Sequence, residues 1–202
     1  MSKGDRVADS DDLRDQFIDA AFRVAAEHGP AGLTVRRVAE AAGASTMGVY
    51  SGFGGRTGML GALYARAFEL LSAAMAAAAR TGDALADVCA LADAYRDFAV
   101  DSPSRYAFMF ERSVVDFDPG PQLRARALDS TFGQLRAAVA AAVPPDRVER
   151  TAYLVWAAMH GMVGIELTHR DRTALPDWSI AEDWPGVYRE GVRAVWHGLA
   201  AR

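Results

Sequence analysis

A single cysteine, Cys89, rules out an internal disulfide and any CxxC-type zinc site, and four histidines leave little material for another metal centre. No cofactor or metal is expected. Long apolar runs are also missing. Ala73 to Ala79 and Ala137 to Val143 have seven residues each, and no run exceeds eight, against the roughly 20 a membrane span needs. Residues 1 to 6, Met-Ser-Lys-Gly-Asp-Arg, lead into acidic positions without the apolar stretch of a secretory signal, so a cytoplasmic protein is expected. Nor is there an excess of positive charge. A formal net charge of −4 excludes a protein that coats nucleic acid by bulk attraction, and any contact with DNA must be local. Valine, isoleucine and threonine do not collect in alternating runs, which leaves little for a sheet.

What the chain does have is alanine, at 41 of 202 positions, and a hydrophobic fraction of 51%, enough for a real core. The fold class expected is all-α. Residues 1–10 are polar and read as a flexible N-terminal arm. From Asp11 a helical period places Leu13, Phe17, Ala21 and Val24 on one face, and His28-Gly29-Pro30 ends it. Thr34 caps a short helix to Ala41 with Val35, Val38, Ala39 and Ala42 inward, and Gly43 breaks it. Ser45 caps a third helix with Val49 and Phe53 inside, terminated by the glycines at 52, 54 and 55. A fourth runs from Arg56 to about Arg80. Five longer or apolar segments follow, at about 83–100, 104–112, 121–143, 146–168 and 182–199, with residues 115–121 as a loop. Nine helices and no strands are predicted. The expected domains are a helix-turn-helix unit at 11–55 and a helical bundle at 56–202.

The two short helices joined at Gly43 have the spacing of a helix-turn-helix, in which the second helix is offered to a DNA groove; the same geometry also occurs as plain core packing. Between Leu13 and Leu60 five arginines (14, 23, 36, 37 and 56) meet four acids, so this segment is about neutral. The run Leu33-Thr34-Val35-Arg36-Arg37-Val38-Ala39-Glu40-Ala41-Ala42-Gly43-Ala44-Ser45-Thr46-Met47-Gly48-Val49-Tyr50, followed by Phe53-Gly54-Gly55-Arg56 and Met59-Leu60, resembles the N-terminal domain of the tetracycline-repressor (TetR) family. Two positions depart from the family: Gly52 stands where histidine is usual, removing a phosphate contact, and Arg56 stands where lysine is usual, which keeps the charge.

Thr34 and Arg56 begin helices, whose free N–H groups and positive dipole ends suit phosphate. Ser45, Thr46, Met47, Gly48, Tyr50 and Ser51 are expected on the outward side of the third helix. None of these is Arg, Asn or Gln, so the bidentate readers of guanine and adenine are missing there, and any direct guanine readout falls to Arg36 or Arg37. A solvated helix face is the other reading of both arginines.

Further on, Trp156-Ala157-Ala158-Met159-His160-Gly161, with Tyr95 to Ala99 and Pro103 to Phe110, is similar to the TetR-family C-terminal domain known for its Trp, His and Gly. The resemblance implies a domain that senses a small molecule and forms a homodimer. Phe98, Met109, Phe110, Phe132, Trp156, Met159 and His160 are the expected ligand contacts, in keeping with an apolar cavity holding one polar group. The same set also reads as core, and a histidine on an apolar face is often simply hydrogen-bonded. Small residues at Ala157, Gly161, Gly164 and Thr168, and at Gly191, Ala194 and Gly198, form stripes on the last two long helices. They are the expected dimer seam, or else a close contact within one subunit.

Enzyme chemistry finds little support. Glu166 and His169 form one Glu-x-x-His where di-iron bundles need two, no phosphate loop or HExxH is present, and Asp116 and Asp118 read as solvated loop residues. The reading reached is a ligand-responsive regulator, a repressor, that binds a palindromic DNA operator as a homodimer. The alternative is a helical small-molecule or partner-binding module with a vestigial helix-turn-helix.

Overall fold

The structure is a computed structural model that describes residues 3–78, 80–173, 176 and 178–200. Nine α-helices follow one another: α1 Lys3–His28, α2 Val35–Ala41, α3 Thr46–Phe53, α4 Arg56–Ala76, α5 Ala84–Asp101, α6 Pro103–Phe110, α7 Gly120–Ala140, α8 Val148–His169 and α9 Trp184–Ala200. Two 3-10 turns, Pro30–Gly32 and Ser179–Glu182, interrupt them, and no strand occurs among the described residues.

The helix ends follow from local chemistry. Gly29 at φ 69° ends α1, and Pro30 cannot continue it. The Thr34 hydroxyl oxygen accepts from the Arg37 N–H at 3.3 Å, capping α2. At the other end of α2, Gly43 takes φ 64°. Its N–H reaches Glu40 O at 3.0 Å while the Ala44 N–H reaches Ala39 O at 2.9 Å, the paired bonds of a Schellman turn that only a residue free to adopt left-handed φ closes without strain. Before α5, the Asp83 carboxylate accepts from the Ala86 N–H at 2.7 Å, and Asp87 accepts from the Thr81 N–H at 2.6 Å and its hydroxyl at 3.0 Å. These bonds to the ionised form hold the Asp87 carboxyl below its ordinary pKa.

Several expectations need correction. Residues 3–10 are helical and extend α1, where a frayed arm was expected; nothing in Lys3 to Ser10 forbids a helix, since the stretch contains no proline. Leu13, placed on the inner face, is 37% exposed, because the buried face of α1 runs instead through Phe17, Ile18, Ala20, Ala21, Val24 and Ala25. Helix α4 stops at Ala76, four residues early. At 21 residues it is long and apolar enough to cross a membrane by length and composition. Its Met59, Leu60, Leu63, Phe68, Leu71 and Met75 side chains are nevertheless buried within the protein, as those of a core helix are.

The chain forms two compact units. The first comprises Met1–Leu70 and Ser102–Ala127, and therefore takes in α6 and the start of α7 along with the first helices. Its core gathers Phe17, Val24, Leu33, Val38, Val49, Met59, Leu60 and Leu63. The second comprises Leu71–Asp101 and Leu128–Arg202, in which α5, α8 and α9 pack on one another around Leu91, Tyr95, Val155, Met159, Val163, Val192 and Trp196. All four tryptophans, at 156, 178, 184 and 196, fall in this second unit.

Candidate nucleic-acid interface

Helix α3 is eight residues long and is held on its inner side by α1 and α2. Val49 is fully buried, and the Phe17 and Phe53 rings meet edge to face with centroids 6.0 Å apart. Arg23 of α1 donates to the Ala41 carbonyl at 2.8 Å, satisfying an orphan acceptor at the end of α2. Arg14, also on α1, donates to the Gly52 carbonyl and lays its guanidinium 4.7 Å from the Phe53 ring centroid. Two helices, α1 and α2, therefore fix the attitude of α3, and Gly54 at φ 73° ends it.

The outer face of α3 is open. Met47 is 70% exposed and Tyr50 57%, and Ser45, Thr46 and Ser51 are exposed beside them. The Ser45 side chain makes no capping hydrogen bond, although the residue occupies the N-cap position with extended backbone. Gly48 does not belong to this face. A Cβ on it would lie 2.8 Å from Cζ of Phe17, so it points at α1 and lets the two helices approach closely. Helix sense explains the error, because the sequence offers no side chain at 48 from which a direction could be read.

Arg36 and Arg37 are both exposed on α2. Arg37 leans back, its Nη1 donating to the Gly32 carbonyl at 3.4 Å, while Arg36 has no partner among the described residues. Arg56 opens α4 and is half-buried. Two helix N-termini and four exposed side chains of α3 thus share the features of a surface that takes phosphate at its edges and base edges at its centre.

The seven expected ligand contacts divide between the two units. Phe98, Phe132, Trp156, Met159 and His160 lie in the second, where the Tyr95 hydroxyl and His160 Nδ1 are 2.8 Å apart and the Trp156 ring sits 5.7 Å from His160 and 6.1 Å from Phe132. Met109 and Phe110 lie in the first, lining a cavity of about 270 Å³ with Tyr64, Phe108 and Phe117. Sequence periodicity gave no warning of this split, because α6 carries its aromatic face without indicating which unit it joins.

A buried ion pair was missed altogether. Arg96 Nε donates to Glu166 Oε2 at 2.8 Å and Arg96 Nη2 to Oε1 at 2.5 Å, with the Glu166 side chain 2% exposed. The signal is in the spacing: Glu166 falls at i+3 from Val163 and i+7 from Met159, on the buried stripe of α8. Cys89 is partly buried, and burial pushes its thiol up from its ordinary pKa, which makes it a poor nucleophile.

Of the small-residue stripes, Ala157, Gly161, Thr168, Ala194 and Gly198 are exposed, and Cβ atoms built on Gly161, Gly164 or Gly198 meet nothing. Gly191 is different: a Cβ there would run into the Met162 thioether, so it serves the α8–α9 contact within the chain.

Comparison with known proteins agrees with this geometry. Residues 17–63 match the model of bacterial regulatory proteins of the tetR family, and residues 88–178 match the tetracyclin repressor-like C-terminal domain. The HTH-type transcriptional regulator Rv1816 of Mycobacterium tuberculosis (strain ATCC 25618 / H37Rv) is 25% identical over 201 residues, covering 80% of this chain and 85% of the relative. A protein of unknown function from Rhodococcus sp. RHA1 superposes with a TM-score of 0.73 at 24% identity, covering 93% of this chain and 95% of that one. The transcriptional regulator SCO7222, a TetR from Streptomyces coelicolor, superposes at 0.66 with 20% identity over 93% of this chain and 97% of its own. At these identities the two structures establish a shared fold.

Proposed function

Because the chain belongs to the tetR family of bacterial transcriptional regulators, a non-enzymatic DNA-binding group, we propose that it is a cytoplasmic repressor that binds a palindromic operator as a homodimer and is released by a small molecule. The observation that carries the reading is the outer face of α3. Met47 and Tyr50 are large side chains held in solvent by a helix whose inner face is fully engaged. A soluble domain gains nothing from that exposure by itself, whereas a recognition helix needs it.

In this reading α3 enters the major groove. Thr46 and Met47 offer hydroxyl and apolar contact, suited to thymine methyl groups, with Ser51 on the flank. Tyr50, Ser45, Thr34 and Arg56 hold phosphates, the last two at helix N-termini. Arg36, which has no partner among the described residues, is free to reach a guanine edge, and Arg37, already bonded to Gly32, is the weaker candidate. Gly48 contributes by its lack of a side chain. Gly52 has no side chain to donate to a phosphate, and its carbonyl accepts from Arg14.

The homodimer is supported by the open stripe of α8 and α9, Ala157, Gly161, Gly164, Thr168, Ala194 and Gly198, on which a second copy would complete a four-helix bundle. Effector binding would favour a state in which the two recognition helices leave the roughly 34–36 Å separation of successive major grooves. The working division is a helix-turn-helix at 11–55 and an effector and dimerisation region at 56–202.

The test is selection of bound sequences from random double-stranded DNA at two salt concentrations. An inverted repeat with half-sites one helical turn or a multiple apart is the expected result. Affinity for it should fall with salt at a slope of about −0.9 for each phosphate contact. Recovery of no preferred sequence at either salt would overturn the reading in favour of a ligand-binding bundle with an idle helix-turn-helix.

A further inference from the structure

The cavity of the first unit has a chemistry that the regulator reading does not assign. Its volume is about 270 Å³, just under the roughly 300–1,000 Å³ of sites for drug-sized ligands. It suits a small molecule of one or two rings. One wall is aromatic: Phe108 and Phe117 stack with centroids 5.8 Å apart and planes 11° from parallel, and Tyr64 meets both edge-on at 6.4 and 6.3 Å. The other wall is charged, with Arg112, Asp118 and Arg124.

These polar groups are unequally satisfied. Asp118 accepts from the Gly120 N–H at 2.7 Å and pairs with Arg124 Nη1 at 3.5 Å, so acid and base there are matched. Arg112 has no partner among the described residues. Neither has the Tyr64 hydroxyl, although Tyr64 is only 7% exposed. Tyr64 lines the cavity and its hydroxyl is not fully enclosed, so that O–H is open to an incoming acceptor. Burial also pushes the Tyr64 phenol up from its ordinary pKa, so it remains a donor at neutral pH. Two donors therefore border one cavity without an acceptor, beside an aromatic surface. The loop that carries Arg112 is strained, with Arg112 at φ 48° and Asp116 at φ 61°, a region non-glycine residues seldom adopt and one that recurs at ligand clamps.

We propose that this cavity binds a small aromatic carboxylate, its ring against Phe108 and Phe117 and its carboxylate held by Arg112 and the Tyr64 hydroxyl. The net charge of the charged wall, two arginines against one aspartate, selects a monoanion. The cavity shares α4 with the proposed DNA-reading surface. Tyr64 lies two turns along α4 from Arg56, and α6 packs on α1 with the Arg105 guanidinium 5.9 Å from the Phe22 ring centroid. A ligand that shifts α6 acts on α1, one of the two helices that hold α3, and one that shifts α4 acts on the helix that follows α3 in the chain. Binding stands independently of the regulator reading; only its effect on DNA rests on that reading.

The test is calorimetric titration of the full chain with trans-cinnamate and 1-naphthoate, with the uncharged amides of both as controls. Expected is saturable binding of at least one acid, one per chain, roughly tenfold or more tighter than its amide, the margin of a charge-assisted hydrogen bond. Arg112→Gln, at an exposed position, and Tyr64→Phe should each weaken it by a similar factor without lowering the melting temperature, and Trp156→Ala should leave it unchanged. No saturable binding of either acid up to about 10 mM, equal binding of acid and amide, or loss in Trp156→Ala but not in Arg112→Gln overturns the site. Adding the bound acid to the chain on its selected DNA then separates the two readings. Release supports the cavity as the effector site, while binding without release leaves the ligand assignment standing and overturns the coupling.

Discussion

Gly48 and Met47 are neighbours with opposite duties, and substitution distinguishes them. Gly48→Val would drive a side chain into Phe17, and overpacking of this kind costs about 1–3 kcal/mol. Thermal melting should show the loss. Met47→Ala, on a side chain 70% exposed, should leave the melting temperature unchanged while weakening binding to the selected operator in a gel-shift assay. Equal melting of both variants would refute the inward direction of residue 48. The Arg96–Glu166 pair permits a second comparison. Arg96→Met leaves the Glu166 carboxylate buried without its bidentate partner, with only Arg170 at 3.7 Å, and should cost about 3–5 kcal/mol in a denaturant titration. The double variant Arg96→Met with Glu166→Leu should recover most of that loss. If the double variant is as unstable as the single one, the ionic interaction is not the source of the cost.

At the scale of elements, the turn before α5 carries a pH dependence whose sign can be worked out. The Asp87 carboxyl is held below its ordinary pKa, chiefly by the Thr81 N–H, so the stability it contributes is present above the carboxylate range and is lost as pH falls through its folded value. Melting temperatures measured from about pH 7 to about pH 3 should fall less steeply for Asp87→Asn than for the parent chain; parallel curves would remove Asp87 from the account. The elements themselves were largely legible. The period of 3.6 marks α1 through α9, and Thr34, Gly43, Asp83 and Pro103 act as stops and starts because each has a local chemical reason to do so. Less legible was rotation about a helix axis. Leu13 was placed on the wrong side of α1, since one residue at the edge of an apolar stripe can fall on either face. The short 3-10 turns left no periodic trace. Nor did the cavity, whose Tyr64, Phe117 and Arg112 come from three segments of sequence and meet only through tertiary packing.

For the whole molecule, the open stripe predicts assembly. Gly161→Leu places a bulky side chain where a Cβ now meets nothing, so the isolated chain can accept it, but a second copy packed there cannot. Sedimentation should show a dimer for the parent protein and a monomer for the variant, at unchanged helical content by circular dichroism. A dimer that survives the change would assign the stripe another duty. The distribution of indoles has a further, optical consequence. The unit that carries the DNA-reading helices contains phenylalanine and tyrosine only, while every tryptophan belongs to the other. Excitation at the red edge of the aromatic band therefore illuminates one half of the protein and leaves the other dark, so an emission melt that precedes or trails the loss of ellipticity would report directly that the two halves come apart in separate steps.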